Sequence, residues 1–229
     1  GGSVVGVHRD RPAGEVKTIV RQFGIKFAVV QDQEQVNKLL ASKDEVPTLV
    51  KIIYWNDKGL EHYHDPRLAS FDEVMETGRC FDASHPDMFE QKIAQSRRTD
   101  TAIIQCNSIN GSAVKSTAFT HDNLLTANET FCSKDPLHSS DRWFSYILPE
   151  TTVEQVIGLV GSLASGTIID IPESPDTAQQ DLREIGSTLV CYPASSWEAL
   201  AFSVKDKIDK TTFVKKMISR MATKVGSKI

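Results

Sequence analysis

Short apolar runs alternate with longer amphipathic stretches along most of the chain. Eight runs of four to six residues are rich in β-branched and aromatic residues and are predicted strands: 4–7, 26–30, 50–54, 101–105, 116–119, 143–148, 166–171 and 187–192. Several of them are continuously apolar, which is typical of strands covered on both faces. The pattern therefore predicts a layered α/β fold with a mainly parallel sheet flanked by helices.

Capping residues mark where the intervening helices are predicted to begin. Three pairs fit a capping box, in which a hydroxyl and a Glu three residues later bond each other's backbone: Ser70 with Glu73, Thr151 with Glu154, and Ser195 with Glu198. Ser174 before Pro175 gives an N-cap and a first-turn proline, and Pro12 opens the first helix in the same way. The polar segment 56–67 shows neither the alternating pattern of a strand nor the 3.6-residue pattern of a helix, and it is a predicted surface loop.

The chain becomes basic from Lys205 onward. We divide it into an α/β domain, residues 1–204, and a basic amphipathic helical tail, residues 205–229. The tail carries an apolar stripe at helical spacing, which includes Phe213, Met217, Ile218 and Met221. The stripe is predicted to contact a partner protein. Packing against the protein's own body and peripheral contact with an anionic membrane are the alternatives, and we favour protein docking over a membrane because the stripe lacks Trp.

The composition of the chain argues against some classes of function and favours a compartment. A net charge of −4 and a pI near 5.9 argue against a nucleic-acid binder. Four scattered cysteines without a CxxC pair favour free thiols in a reducing intracellular compartment, either the cytoplasm or the mitochondrial matrix. No apolar run approaches the roughly 18–20 residues of a membrane span.

Other candidate chemistry has a simpler explanation. His62 and His64 could share a metal only on a strand, but they lie in a predicted loop without a third ligand. Ser195 lies outside a G-x-S-x-G elbow, and Glu154 is explained by its capping role. Cys191 lies in an apolar run, which favours a core position. We therefore predict neither a catalytic residue nor a metal site.

The stretch CNSINGSAVKS, residues 106–116, raises a separate question. A loop of small residues with a lysine, between a strand and a helix, is where a chain usually cradles phosphate. This stretch has one glycine, Gly111, where such a loop normally has several.

The chain as a whole resembles the adenylate-forming, AMP-binding acyl-CoA synthetases, closest to the bacterial long-chain fatty-acid type. Six segments carry the resemblance in order along the chain: 1–20, 29–40, 52–79, 120–125, 147–170 and 175–200. The basic tail resembles the helical segment that follows in those enzymes. The resemblance implies the fold of a partial N-terminal domain. In those enzymes the adenine, ribose and acyl-adenylate motifs and the domain with the catalytic lysine come later, so by this resemblance the given sequence stops at Ile229 before any of them.

The resemblance gives a reading of residues 106–116. In active relatives the residues at the corresponding positions are YTSGTTGKPKG, a loop that holds the triphosphate of ATP. Here the three family glycines are replaced by Ile109, Ser112 and Ser116, while Ser108 and Lys115 are retained. The resemblance therefore implies a vestigial phosphate loop, of which these residues are left: Asn107, Ser108, Asn110, Gly111 and Lys115.

These observations lead to one expectation and two alternatives. We expect a catalytically inactive acyl-CoA-synthetase-like protein without a cofactor, serving as an accessory or structural subunit in a complex with other protein subunits. The first alternative is a fragment or split half of a long-chain fatty-acid–CoA ligase, which would use ATP, Mg²⁺ and CoA. The second is a sensor that binds acyl groups or nucleotides without catalysis.

Overall fold

The computed structural model describes residues 2–110, 113–213, 215, 217–218 and 221–222. The strands of this part of the chain are β1 Val4–Gly6, β2 Phe27–Val30, β3 Lys51–Tyr54, β4 Leu68–Ser70, β5 Thr101–Asn110, β6 Ala113–Thr120, β7 Arg142–Phe144, β8 Ile168–Asp170 and β9 Leu189–Val190. The first five helices are α1 Ala13–Phe23, α2 Gln33–Leu40, α3 Phe71–Ser84, α4 Met88–Gln95 and α5 His121–Cys132. The remaining helices are α6, a π-helix over Glu154–Gly161 continued by Ser162–Ser165, α7 Ala178–Ile185 and α8 Ala194–Asp209.

The elements form two compact units. The first holds Gly1–Leu137 and Leu148–Ser165, and the second holds His138–Ile147 and Gly166–Ile229. The sequence did not indicate this division. Helix α8 runs through the predicted boundary between residues 204 and 205, and that boundary stays a prediction.

Two three-stranded sheets build the first unit. One has the order β1-β5-β6 and the other the order β2-β3-β4. The pairings of β1 with β5, β2 with β3 and β3 with β4 are parallel, and that of β5 with β6 is antiparallel. The predicted α/β class with a mainly parallel sheet is confirmed.

The core of the first unit lies where α1 and α2 cover the β2-β3-β4 sheet. Helix α1 presents Val16 and Val20, which lie one turn apart on its buried face, to this core. Helix α2 adds Val36 and Leu39, and these side chains pack with those of the sheet. Burying each such side chain contributes about 1.5–3 kcal/mol, so this cluster fixes the helices on one face of the sheet.

The second unit has one parallel sheet in the order β8-β7-β9. Phe144 on the central strand is fully buried, and Trp143 beside it is 4% exposed. Arg142 forms an ion pair with the buried carboxylate of Asp170, which also accepts a hydrogen bond from the Ser187 hydroxyl at 2.7 Å. This ion pair links β7 and β8 through their side chains, in addition to the backbone pairing of the two strands.

Two of the predicted helix starts are wrong. Helix α8 begins directly after Pro193, and no side-chain hydrogen bond caps it, so Ser195 lies inside the first turn instead of capping it with Glu198. Helix α7 begins at Ala178, with Thr177 as its N-cap residue, although the Ser174 hydroxyl accepts from Thr177 N at 3.2 Å. The box of Ser70 with Glu73 is confirmed at the start of α3, with both of its hydrogen bonds present.

The capping box of Thr151 with Glu154 shows its forward bond, from Glu154 N to the Thr151 hydroxyl at 3.4 Å. That distance is at the long end for a hydrogen bond, so the contribution of this cap is small. The Glu154 side chain is buried, with the residue 6% exposed. A glutamate that opens a helix at this depth belongs to the interior of the first unit.

Candidate functional site: the β5–β6 hairpin

The stretch predicted to be a phosphate loop is a β-hairpin. Strand β5 continues to Asn110 and β6 begins at Ala113, so residues 108, 109 and 110 pair with residues 115, 114 and 113. The predicted loop boundaries are therefore wrong, since strands were expected to end at residue 105 and to resume at 116. Asn107, Ser108 and Asn110 lie in β5 and Lys115 lies in β6, while Gly111 lies outside the described residues.

A β-bulge interrupts the ladder at Asn107. Cys106 pairs with Ser116 and Ser108 pairs with Lys115, which leaves Asn107 as the extra residue on β5. Its side-chain Nδ2 donates to the Thr117 hydroxyl at 3.0 Å. The bulge thus has its own cross-strand bond and keeps the hairpin paired on both sides of it.

Gln22, in the last turn of α1, hydrogen-bonds backbone groups at the outer edge of the hairpin. Its Nε2 donates to the carbonyl oxygen of Val114 at 2.9 Å, and its Oε1 accepts from the Val114 N–H at 2.9 Å. Val114 is buried, with 6% of its surface exposed. The two outward-facing backbone groups of Val114 are therefore engaged by the protein itself.

Arg11, in the loop between β1 and α1, contacts β5 beside the bulge. Its Nη2 donates to the carbonyl oxygen of Cys106 at 3.2 Å, and its Nη1 pairs with Glu15 Oε2 at 2.9 Å. Burial raises the pKa of the Cys106 thiol, and the nearby Arg11 charge opposes that rise. Two of the three guanidinium nitrogens of Arg11 are thus engaged within the protein, while its buried Nε has no hydrogen-bond partner.

The backbone geometry of the hairpin limits its chemistry. Successive N–H groups along a strand point to opposite sides, whereas an anion-binding nest needs successive N–H groups that converge on one point. The described part of 106–116 runs as strand on both sides of the turn. Lys115 is exposed on β6 and is the cation that the hairpin itself presents.

Neither Gln22 nor Arg11 was found by sequence reasoning. Gln22 lies 92 residues from its partner, and nothing in the spacing of either residue signals the contact. The hairpin itself had a signal in the sequence, because Gly-Ser, the dipeptide between the paired residues Asn110 and Ala113, is typical of a two-residue hairpin connection.

The predicted partner stripe lies in the second unit. Phe213, Met217, Ile218 and Met221 are helical and are 79%, 49%, 58% and 62% exposed. These side chains are accordingly available to a partner, and the contact itself stays a prediction.

The histidines of the HYH segment, His62 and His64, are exposed in the predicted loop between β3 and β4. Across residues 2–110, 113–213 and the few described beyond them, no group of three His, Cys, Asp or Glu side chains is placed to hold a metal ion. In the same part of the chain, no helix is long and apolar enough to cross a membrane.

The chain is similar in sequence to long-chain fatty-acid ligases. It is 21% identical over 239 residues to the long-chain-fatty-acid–CoA ligase ACSBG2 of Rattus norvegicus, a match that covers 100% of this chain and 35% of the ligase. It is 23% identical over 234 residues to the ACSBG2 ligase of Xenopus laevis, covering 99% of this chain and 31% of the ligase. The chain therefore spans about a third of the length of these relatives. No family model matches it.

Solved structures give the same picture for the fold. The R395G form of coronafacic acid ligase from Pectobacterium brasiliense superposes with a TM-score of 0.63 at 12% identity, covering 93% of this chain and 38% of that one. The anthranilate–CoA ligase AuaEII with bound anthranoyl-AMP gives 0.61 at 16% identity, covering 82% and 34%. A long-chain-fatty-acid–CoA ligase from Rhodopseudomonas palustris, whose function is itself inferred, gives 0.60 at 13% identity, covering 84% and 44%. The chain thus has the fold of the N-terminal part of the AMP-binding acyl-CoA ligases and is similar in sequence to their long-chain members.

Proposed function

We propose that this chain is a catalytically inactive acyl-CoA-ligase-like protein that serves as an accessory subunit of a larger protein assembly. The observation that carries the proposal is the pairing of β5 with β6 up to Asn110 and Ala113. A paired ladder directs its N–H groups alternately outward and across to the neighbouring strand, so it does not gather them around a triphosphate.

The charges and side chains around the hairpin support the same proposal. Arg11 is bonded to Glu15 and to the Cys106 carbonyl, and Gln22 is bonded to Val114. Apart from the exposed Lys115, these side chains are therefore already engaged by the protein itself. The hairpin is thus stabilised in a form that competes with phosphate binding.

Exposed apolar side chains support the subunit role. Helices α3 and α4 bury none of their residues, and Phe81, Phe89 and Ile93 on them are 50%, 67% and 52% exposed. Soluble monomers rarely leave such groups uncovered in contiguous patches. Together with the exposed stripe around Phe213, they favour a protein that is covered by partner subunits. We further propose a reducing intracellular compartment, in keeping with four free cysteines.

A second candidate function is that of one piece of a long-chain fatty-acid–CoA ligase. Sequence similarity over 100% and 99% of the chain to the two ACSBG2 ligases favours it. In that case ATP, Mg²⁺ and CoA would be used by the complete enzyme, and the remaining parts of the site would have to come from elsewhere.

ATP binding and pyrophosphate release by the isolated chain test the proposal, and a positive result would favour the ligase piece. We expect the purified chain to show no fatty-acid-dependent release of pyrophosphate from ATP above a no-protein blank. In calorimetry with ATP and Mg²⁺, we expect no dissociation constant below about 100 μM, which corresponds to about −5.5 kcal/mol. A variant whose residues 106–116 are replaced by YTSGTTGKPKG is the matched control for the loop. Turnover or tight ATP binding by the unmodified chain would overturn the proposal and favour the ligase piece.

A further inference from the structure

We draw no further inference here: the strongest candidate, the row of aromatic side chains formed in the second unit by Tyr146 and Tyr192, just beyond the carboxyl ends of β7 and β9, and by Trp197 in the first turn of α8, carries none, because these rings already pack on one another with centroids 5.0 and 5.2 Å apart and nothing in the part of the chain that the structure describes shows what covers their exposed faces.

Discussion

The side chain of Gln22 hydrogen-bonds both outward-facing backbone groups of Val114, one of them as donor and the other as acceptor, each at 2.9 Å. An amide is the side-chain group that offers a donor and an acceptor side by side in this geometry. Through this contact α1 holds the hairpin that replaces the expected phosphate loop.

Replacing Gln22 with Glu should weaken this contact. A carboxylate can accept from the Val114 N–H, but it cannot donate to the Val114 carbonyl, which then faces a negative charge. We expect the free energy of unfolding to fall by about 1 kcal/mol, the usual net contribution of such a bond. Urea unfolding measures it, and Gln91→Glu on the exposed face of α4 is the charge-matched control. An equal effect of the two substitutions would contradict a specific role for Gln22.

The hairpin illustrates what could be predicted from the sequence. Apolar runs such as 101–105 correctly indicated where a strand lies, although these residues are only partly buried and the strand continues to Asn110. Residues 106–110 and 113–115 are polar or small, and their pairing depends on partners across the ladder and on Gln22, which a local pattern does not contain. The same holds for the start of α8, where Pro193 directly precedes the helix and overrides the local capping signal of Ser195.

The position of β1 relative to β2 could not be predicted from the sequence either. Both strands were predicted from their apolar runs, and both are present. Nothing in the two runs says which strand lies beside which, because strand order follows from the packing of α1 against the sheet. The placement of β1 and β2 in different sheets is therefore a finding of the three-dimensional arrangement.

Cys106 is predicted to react more slowly with iodoacetamide than Cys80. The thiolate is the reacting form, and burial raises the pKa of Cys106, whereas Cys80 is exposed on α3. Two variants, each retaining one of these cysteines with the other three replaced by Ser, allow the rates to be compared by mass spectrometry near neutral pH. In urea the two rates should converge. Faster alkylation of Cys106 in the folded protein would show that the Arg11 charge outweighs burial.

Asp65 should make the first unit sensitive to acid. The backbone N–H of Arg67 lowers the pKa of Asp65, helped by hydrogen bonds from Lys43 and Arg67 side chains and opposed by burial. A lowered pKa in the folded state stabilises the protein above the unfolded pKa, near 4, and this stabilisation is lost as the pH falls through the folded pKa.

The variant Asp65→Asn removes that titration. We expect it to be less stable than the wild type at about pH 6 and the difference to shrink as the pH approaches about 3. Chemical unfolding at several pH values measures the difference. Asp44→Asn, at an exposed position next to Lys43 in sequence, is the control and should show no such trend. A gap between wild type and Asp65→Asn that is independent of pH would refute the prediction.

The stripe around Phe213 is predicted to hold the chain in its assembly. Its four side chains are 79%, 49%, 58% and 62% exposed, and burial of each against a partner would contribute about 1.5–3 kcal/mol. Replacing Phe213 and Met217 with Asp places two charges in that interface and should release the chain from its partner. The α/β body should stay folded, because these side chains bury little of their surface in it.

Co-purification of tagged chains from the source organism, followed by size-exclusion chromatography, measures the loss of the partner. Lys215→Asp changes the net charge by the same amount beside the stripe and should be retained. Equal retention of the double variant and the wild type, or release of the Lys215 variant to the same extent, would leave no role for the apolar stripe.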